Sequence, residues 1–144
     1  MLEVRRADSN DADAVARLMT QLGYPQDAAT ALRRLSAMEG SDAHITLLAD
    51  DAGTVLGCIH VFAAQRLESD FAEIGALVVD ENARGRKVGR MLVEAAAEWA
   101  AAQGWPQLRV RSNVVRDDAH RFYEGAGFSR AKSQHVFIRT LGGD

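Results

Sequence analysis

The chain has 144 residues, of which 47% are hydrophobic, and it carries a net charge of −3. This length predicts a single domain over residues 1–144, and the composition excludes an intrinsically disordered chain. The sequence contains no apolar run of about 18 residues and no apolar core of a secretory signal near its N-terminus. We therefore expect a cytoplasmic protein with no membrane partner.

The distribution of charged and metal-binding residues narrows the function classes further. Acidic residues predominate in residues 1–72, and basic residues predominate slightly in residues 73–144. This division suits an anionic cofactor and a cationic acceptor, and it does not resemble the strongly basic stripe of a nucleic-acid-binding protein. Cys58 is the sole cysteine and lies in an apolar run, which favours a buried, inert thiol. The histidines show no ligand spacing with carboxylates, so we expect no metal.

The hydrophobic pattern predicts strands and helices in the following chain order. A strand over residues 2–6 precedes a helix that is capped by Ser9 or Asn10 and ended by Gly23, and a second helix spans residues 26–38 with Leu32 and Leu35 inward. Further strands are predicted over residues 44–49, 54–63, 71–79, 108–111 and 134–140, with one more short strand at 128–131. Two more helices are predicted over residues 88–103 and 116–124.

This order, with hairpins first and strand–helix crossovers later, predicts an α/β fold of the mixed α+β type. We expect a central mixed, mostly antiparallel sheet of six to seven strands, with four helices on both faces.

A basic, glycine-containing segment joins the strand that ends at Val79 to the long helix that follows. Its residues are Arg84, Gly85, Arg86, Lys87, Val88, Gly89 and Arg90. A helix N-terminus leaves backbone N–H groups free and carries a partial positive charge, and glycine lets a ligand approach the backbone closely. The segment therefore predicts a phosphate or pyrophosphate site. Taken alone, it also fits an ordinary basic first turn, and it matches neither common glycine-rich nucleotide motif.

Three segments resemble motifs of the GCN5-related N-acetyltransferase (GNAT) superfamily. The spacing from Arg84 to Gly89 resembles the family's Gln/Arg-x-x-Gly-x-Gly/Ala loop, with Lys87 in place of the middle glycine. Residues 71–74 resemble the segment that carries the general-base glutamate in the histone-acetylating branch. Residues 119–128 resemble the second family signature, although Arg116 stands where an asparagine is usual.

The resemblance implies a GNAT fold, acetyl-CoA as cofactor and direct acetyl transfer in a ternary complex. The basic loop would hold the pyrophosphate, and Tyr123 would act as the general acid beside the cofactor. Glu73 would act as the base, directly or through a water molecule. Asn113 is the candidate replacement for the missing asparagine. The pantetheine arm would lie along backbone amides of Leu77, Val78 and Val79.

The acceptor side is the least readable part of the sequence. The resemblance places Tyr24 at the wall of the acceptor site, while His60 lies near the expected cleft floor and Glu73 close to the amine. For His60 the alternative is an ordinary packing residue, and for Glu73 it is a solvated charge at a strand edge. The implied function is acetyl transfer to a primary amine of a small molecule or a protein, by a chain that is a monomer or a homodimer.

A non-catalytic acyl-CoA-binding sensor module is the alternative from a different class. Such a module would keep the basic loop without depending on Glu73 or Tyr123.

Overall fold

The central element of the computed structural model is a five-stranded sheet. The structure describes residues 1–112 and 117–142. The strands lie side by side in chain order, antiparallel except for the last pair, which is parallel. They are β1 (Leu2–Arg6), β2 (His44–Asp51), β3 (Thr54–Gln65), β4 (Asp70–Val79) and β5 (Leu108–Val110). The predicted mixed, mostly antiparallel sheet is thus confirmed.

The hairpin between β2 and β3 closes through a two-residue turn. Ala52 and Gly53 both have positive φ, at 51° and 97°, which is the backbone geometry whose twist matches that of paired strands. The Asp50 carboxylate accepts a hydrogen bond from the Gly53 amide at 2.8 Å, which fixes the turn. The predicted hairpin is therefore present, with β2 two residues longer than the hydrophobic pattern indicated.

The described residues form four α-helices, the number predicted. They are α1 (Ala12–Leu22), α2 (Ala28–Met38), α3 (Val88–Ala102) and α4 (Asp117–Gly125). A short 3-10 turn over Ser9–Asp11 precedes α1, and the carboxylate that caps it belongs to Asp8, not to the predicted Ser9 or Asn10. The first helix ends, as expected, at Gly23, whose φ is 110°. In α2 the buried stripe runs through Ala31 and Leu35, so the prediction that Leu32 points inward was wrong.

Helices cover both faces of the sheet. Leu48, Cys58 and Val78 lie in one row across three strands and pack with Val15, Leu18 and Leu35 of the first two helices. Gly57 faces the opposite side, where an added Cβ would lie 3.0 Å from side-chain atoms of Leu92 and Val88. The absence of a side chain at Gly57 therefore lets α3 pack closely on the second face.

The chain divides into two compact units, Met1–Arg111 and Ser112–Asp144, and each is described by itself. In the second unit, α4 ends in a turn in which the amides of Ala126 and Phe128 donate to the carbonyls of Phe122 and Tyr123, both at 3.0 Å. The single domain over residues 1–144 stays a prediction. No helix in the described parts is long and apolar enough to cross a bilayer.

The predicted strands at residues 128–131 and 134–140 are not formed within the described residues. The described sheet has five strands where six to seven were predicted, and Val136, Phe137 and Ile138 are exposed. Apolar and β-branched residues give these segments strand propensity, but a strand also needs a partner for its backbone hydrogen bonds. The sequence pattern shows that these segments favour extended structure, but it does not show whether another strand pairs with them.

Candidate active site

An irregularity in β4 leaves one edge of that strand open where the resemblance places the cofactor arm. The register with β3 shifts between His60 and Val61, so Gly75 is an extra residue in β4, a β-bulge. The neighbouring strand β5 pairs with β4 only at residues 72–74. Beyond the bulge, residues 77–79 remain paired with β3, but no described strand pairs with their other edge. Within the described residues, backbone groups on that edge are therefore available to hydrogen-bond a ligand.

The segment that follows β4 prepares the start of α3. Asp80 caps the short 3-10 turn Glu81–Ala83 by accepting from the amide of Asn82 at 2.9 Å. Gly85 then has a φ of 85°, and Lys87 has a φ of 63° in the left-handed region. A glycine occupies that region without strain, whereas a lysine does not, which explains why the family's loop has a glycine where Lys87 stands.

The first turn of α3 presents its backbone amides to the loop. The first described hydrogen bond within the helix runs from the Met91 amide to the Lys87 carbonyl, at 3.1 Å. The amides of Val88, Gly89 and Arg90 precede it, and in the described structure no side chain caps this helix start. These donors lie at the positive end of the helix dipole, where the sequence predicts an anion site; that site stays a prediction.

Two side chains of α1 contact the segment that follows β4. The guanidinium of Arg17 contacts the Asp80 carboxylate and also donates to the carbonyl of Val55 at 3.0 Å. The side-chain oxygen of Gln21 accepts from the amide of Glu81 at 3.1 Å. The hydrogen bond from the Asn82 amide, followed by the Arg17 guanidinium, lowers the pKa of Asp80. Asp80 is therefore ionised near pH 7 and ties α1 to the loop.

The four cationic side chains of the loop differ in whether a carboxylate lies next to them. Arg86 donates to Asp51 at 3.0 Å, and this contact lowers the pKa of the Asp51 carboxyl. Arg90 lies 3.9 Å from Glu94 within α3. Arg84 and Lys87 are exposed and pair with no carboxylate in the described parts of the chain. The loop therefore retains positive charge for an anionic ligand.

The predicted base Glu73 is buried and paired, not solvated at a strand edge. Its residue is only 7% exposed, and its two carboxylate oxygens lie 3.2 and 3.3 Å from Nε of Arg111. In the sheet it lies opposite Phe62 of β3 and Arg109 of β5. The sequence reasoning missed Arg111, which lies just past β5 and reaches Glu73 only because β5 runs parallel to β4.

His60 lies on the same face of the sheet as Glu73 and contacts a second histidine. Phe62 is the register partner of Glu73, and it stacks on His60 with a centroid distance of 5.8 Å. The Nε2 atom of His60 lies 3.0 Å from Nδ1 of His44. Burial, and secondarily His44, lowers the pKa of His60 to about 4, so its imidazole is neutral near pH 7. His44 was not predicted, since it lies at the edge of a strand pattern 16 positions away.

The remaining predicted residues lie elsewhere. Tyr24 follows α1 and is 66% exposed, consistent with a wall but also with an ordinary surface position. Tyr123 lies on α4 in the second unit, with its ring edge-on to Phe122 and Phe128. Asn113 lies outside the described residues. Over residues 1–112 and 117–142, no three His, Cys, Asp or Glu side chains are grouped so that they could hold a metal ion.

The chain is similar in sequence to known acetyltransferases. The aminoalkylphosphonate N-acetyltransferase of Salmonella typhimurium is 32% identical over 142 residues, which cover 96% of this chain and 91% of the relative. The IAA acetyltransferase of Azospirillum brasilense is 29% identical over 123 residues, or 81% of this chain and 78% of that protein.

The fold itself is shared with enzymes of lower sequence identity. The crystal structure of glucosamine-6-phosphate N-acetyltransferase from Arabidopsis thaliana superposes with a TM-score of 0.81 at 19% identity, covering 96% of this chain and 98% of that one. Residues 12–128 match the sequence model of the family described as "Acetyltransferase (GNAT) family". The chain therefore belongs to the GNAT family and is an acetyltransferase.

Proposed function

We propose that this enzyme transfers an acetyl group from acetyl-CoA to the primary amine of a small molecule, directly and within a ternary complex. The observation that carries the proposal is the continuity of the β4 bulge at Gly75, the open edge at residues 77–79 and the uncapped start of α3. Together they offer backbone donors along one path. The name of the Salmonella relative, whose substrate is an aminoalkyl compound, supports an amine acceptor of small size.

The residues along this path fit the chemical groups of acetyl-CoA. Residues 77–79 offer backbone groups to the amide-containing arm, and the amides of Val88, Gly89 and Arg90 suit a pyrophosphate. Arg84, Arg86 and Lys87 add positive charge beside those amides. Acetyl-CoA supplies the activated thioester when it is bound.

Glu73 and Tyr123 have the chemical character that the transfer requires. In the proposed reaction, the Glu73 carboxylate accepts a proton from the amine nitrogen as the carbon–nitrogen bond forms. The Tyr123 hydroxyl is a suitable donor to the departing thiolate, and Asn113 is the proposed polar contact for the cofactor next to it. Tyr24 is proposed to border the acceptor, and His60 to line the floor of its site.

An acetylation assay with a panel of amines tests the proposed function. The full chain is mixed with acetyl-CoA and, separately, with an aminoalkylphosphonate, a neutral alkylamine, an aminoglycoside and a lysine-containing peptide. Thiol release and the mass of the acetylated product are both recorded. We expect transfer to at least one small amine, with initial-rate lines that intersect when both substrates are varied, as a ternary complex requires.

A sensor module would give a different result in the same assay. It would bind CoA, detected by calorimetry, and release no thiol with any amine of the panel. Parallel initial-rate lines would instead contradict the ternary complex and indicate an acetylated enzyme. Transfer to the peptide alone would move the acceptor class from small molecules to proteins. Light scattering on the same sample decides between a monomer and a homodimer.

A further inference from the structure

His44 and His60 form an imidazole pair to which the roles proposed above give no proton-transfer function. The Nδ1 atom of His44 lies 3.0 Å from Nε2 of His60, and the two rings are nearly parallel, with an interplanar angle of 7° and centroids 5.2 Å apart. A hydrogen bond between two neutral imidazoles requires a proton on one of these nitrogens and a lone pair on the other. One imidazole of the pair therefore donates a proton to the hydrogen bond, and the other accepts it.

The pair connects two different environments. At one end, the His60 ring lies against the bulge, where a Cβ added to Gly75 would be 2.7 Å from His60 Nδ1. At the other end, His44 lines a cavity of about 290 Å³ bounded by the ends of β1 and α2 and the start of β2. That cavity is also lined by Arg6, Asp8, Glu39 and Thr46, whose polar groups can hydrogen-bond water, and by apolar side chains.

The charge state of the histidine pair suits the transfer of a proton, because His60 does not stay protonated near pH 7. His60 is neutral near pH 7, because burial disfavours its charged form. Two imidazolium ions cannot lie 3.0 Å apart without strong repulsion, so the pair accepts one extra proton at most. The ionisable groups on the cavity side are Arg6, Asp8 and Glu39. On the sheet face that carries His60, Glu73 lies opposite Phe62 and is paired with Arg111.

We propose that His60 and His44 form a proton relay that carries the proton lost by an acceptor ammonium from the β4 bulge to the cavity. This inference rests on the proposed acetyl transfer. A primary ammonium loses two protons on its way to the amide. One must leave before the nitrogen can attack, and the second leaves as the new carbon–nitrogen bond forms.

The two protons have different destinations in this scheme. As the carbon–sulfur bond breaks, its electron pair stays on sulfur, and the sulfur takes a proton from Tyr123. Glu73 holds the second amine proton, which then passes through water to reprotonate Tyr123. The first proton is released to solvent. His60 Nδ1 accepts it, directly or through one water, while its Nε2 proton passes to Nδ1 of His44. His44 then releases a proton to the cavity, and exchange with water returns both rings to their starting tautomers.

The pH dependence of two single variants tests the relay. In His60→Gln and His44→Gln, we expect kcat/KM for an alkylamine to fall about 100-fold near neutral pH, at the lower end of the range for a lost proton-transfer group. The loss should shrink to about 3-fold or less above the pKa of the amine, because the acceptor then arrives neutral and the relay has nothing to carry. The double variant should be no worse than either single one, since one break already interrupts the relay.

Two further measurements separate a relay from simple packing. A fluorinated alkylamine that is neutral near pH 7 should be acetylated by the variants at close to the wild-type rate. His135→Gln, which alters an exposed histidine of the second unit, should leave both pH profiles unchanged. Thermal melting of each variant shows that the comparison is made between folded proteins. If His60→Gln fails to fold, His44→Gln alone tests the relay.

The outcomes are distinct for the relay and for the proposed function. A loss of equal size at every pH, or for both kinds of amine, would overturn the relay and leave the histidines as packing residues while acetyl transfer stands. No loss in either variant would overturn it as well. A wild-type chain that acetylates no amine would remove the proposed function, and the relay with it.

Discussion

The imidazole of His60 packs directly over the backbone of Gly75 in the neighbouring strand. A Cβ added to Gly75 would lie 2.7 Å from Nδ1 of His60 and 3.3 Å from Cδ1 of Phe62. Real Cβ atoms do not approach other atoms as closely as the first distance. Space, and not an unusual φ, therefore requires glycine at the bulge, and the position of His60 depends on it.

Substituting Gly75 with alanine should disturb both the sheet and the histidine pair. We expect Gly75→Ala to lower the free energy of unfolding by about 1–3 kcal/mol, as for other overpacked sites, because His60 must move. Urea unfolding measures this change, and the acetylation rate should fall with it. Gly125→Ala is the matched control, since a Cβ there would meet no atom within 4 Å. Equal stability of both variants would contradict the close packing.

At Lys87, in contrast to Gly75, a substitution should stabilise the protein, because the left-handed backbone there suits glycine. With φ at 63°, Lys87→Gly should raise the free energy of unfolding by about 0.5–1 kcal/mol, the relief of left-handed strain less the entropy cost of glycine. CoA affinity should fall several-fold, since one loop cation is lost. Lys87→Gln, which removes the charge and keeps the Cβ, should lose affinity without gaining stability. Stronger CoA binding in Lys87→Gly would show that the lysine is merely tolerated.

The basic loop could be placed from the sequence because its signals are local. A strand end, two glycines and clustered cations within Arg84–Arg90 define a helix start without knowledge of the rest of the fold. Even the strain at Lys87 follows from the family's glycine at that position. The four helices and the hairpin follow from periodicity and turn residues in the same way.

The contacts around Glu73 and His60 could not be predicted, because they depend on register. His44 meets His60 only when β2 and β3 pair as they do, and Arg111 reaches Glu73 only because β5 runs parallel to β4. A shift of one residue would turn these side chains to opposite faces. Pairing also explains the error in strand number, since residues 134–140 have strand propensity but no described partner.

Acid should weaken the fold through the contacts of Arg5. Its guanidinium donates to Asp11 and Asp50, each at 2.8 Å, and these bonds lower the pKa of both carboxyls. A carboxyl whose pKa is lowered by folding stabilises the protein above its unfolded pKa of about 3.9, and that contribution is lost as the pH falls through the folded value.

The variant Arg5→Met tests this pH dependence. It should be less stable than the wild type near neutral pH and should approach the wild type in acid, as the pH falls through the lowered pKa of both carboxyls. Urea midpoints at the two pH values measure the effect, with the exposed Arg34→Met as control. A constant difference between Arg5→Met and the wild type at both pH values would show that lost packing, and not charge, is responsible.

Tyr123→Phe isolates the hydroxyl of the proposed general acid. The ring lies edge-on to Phe122 and Phe128, with centroids 5.3 and 5.6 Å away, and phenylalanine keeps these contacts. We expect kcat to fall by about 10²-fold, in line with the loss of one proton donor, with little change in CoA affinity. Rapid-quench measurement of product and calorimetry with CoA separate the two effects. Normal turnover would remove the acid role from Tyr123.

Glu73→Gln separates the basicity of Glu73 from its contact with Arg111. A glutamine oxygen can still accept from Nε of Arg111, so the half-exposed guanidinium keeps a partner and folding should change little. We expect kcat for an amine acceptor to fall by about 10²-fold, because the amide cannot take the proton released as the carbon–nitrogen bond forms. Glu98→Gln, at an exposed site on α3, is the control. An undiminished rate with an unchanged pH profile would leave Glu73 as a structural partner of Arg111 and assign the second amine proton to water.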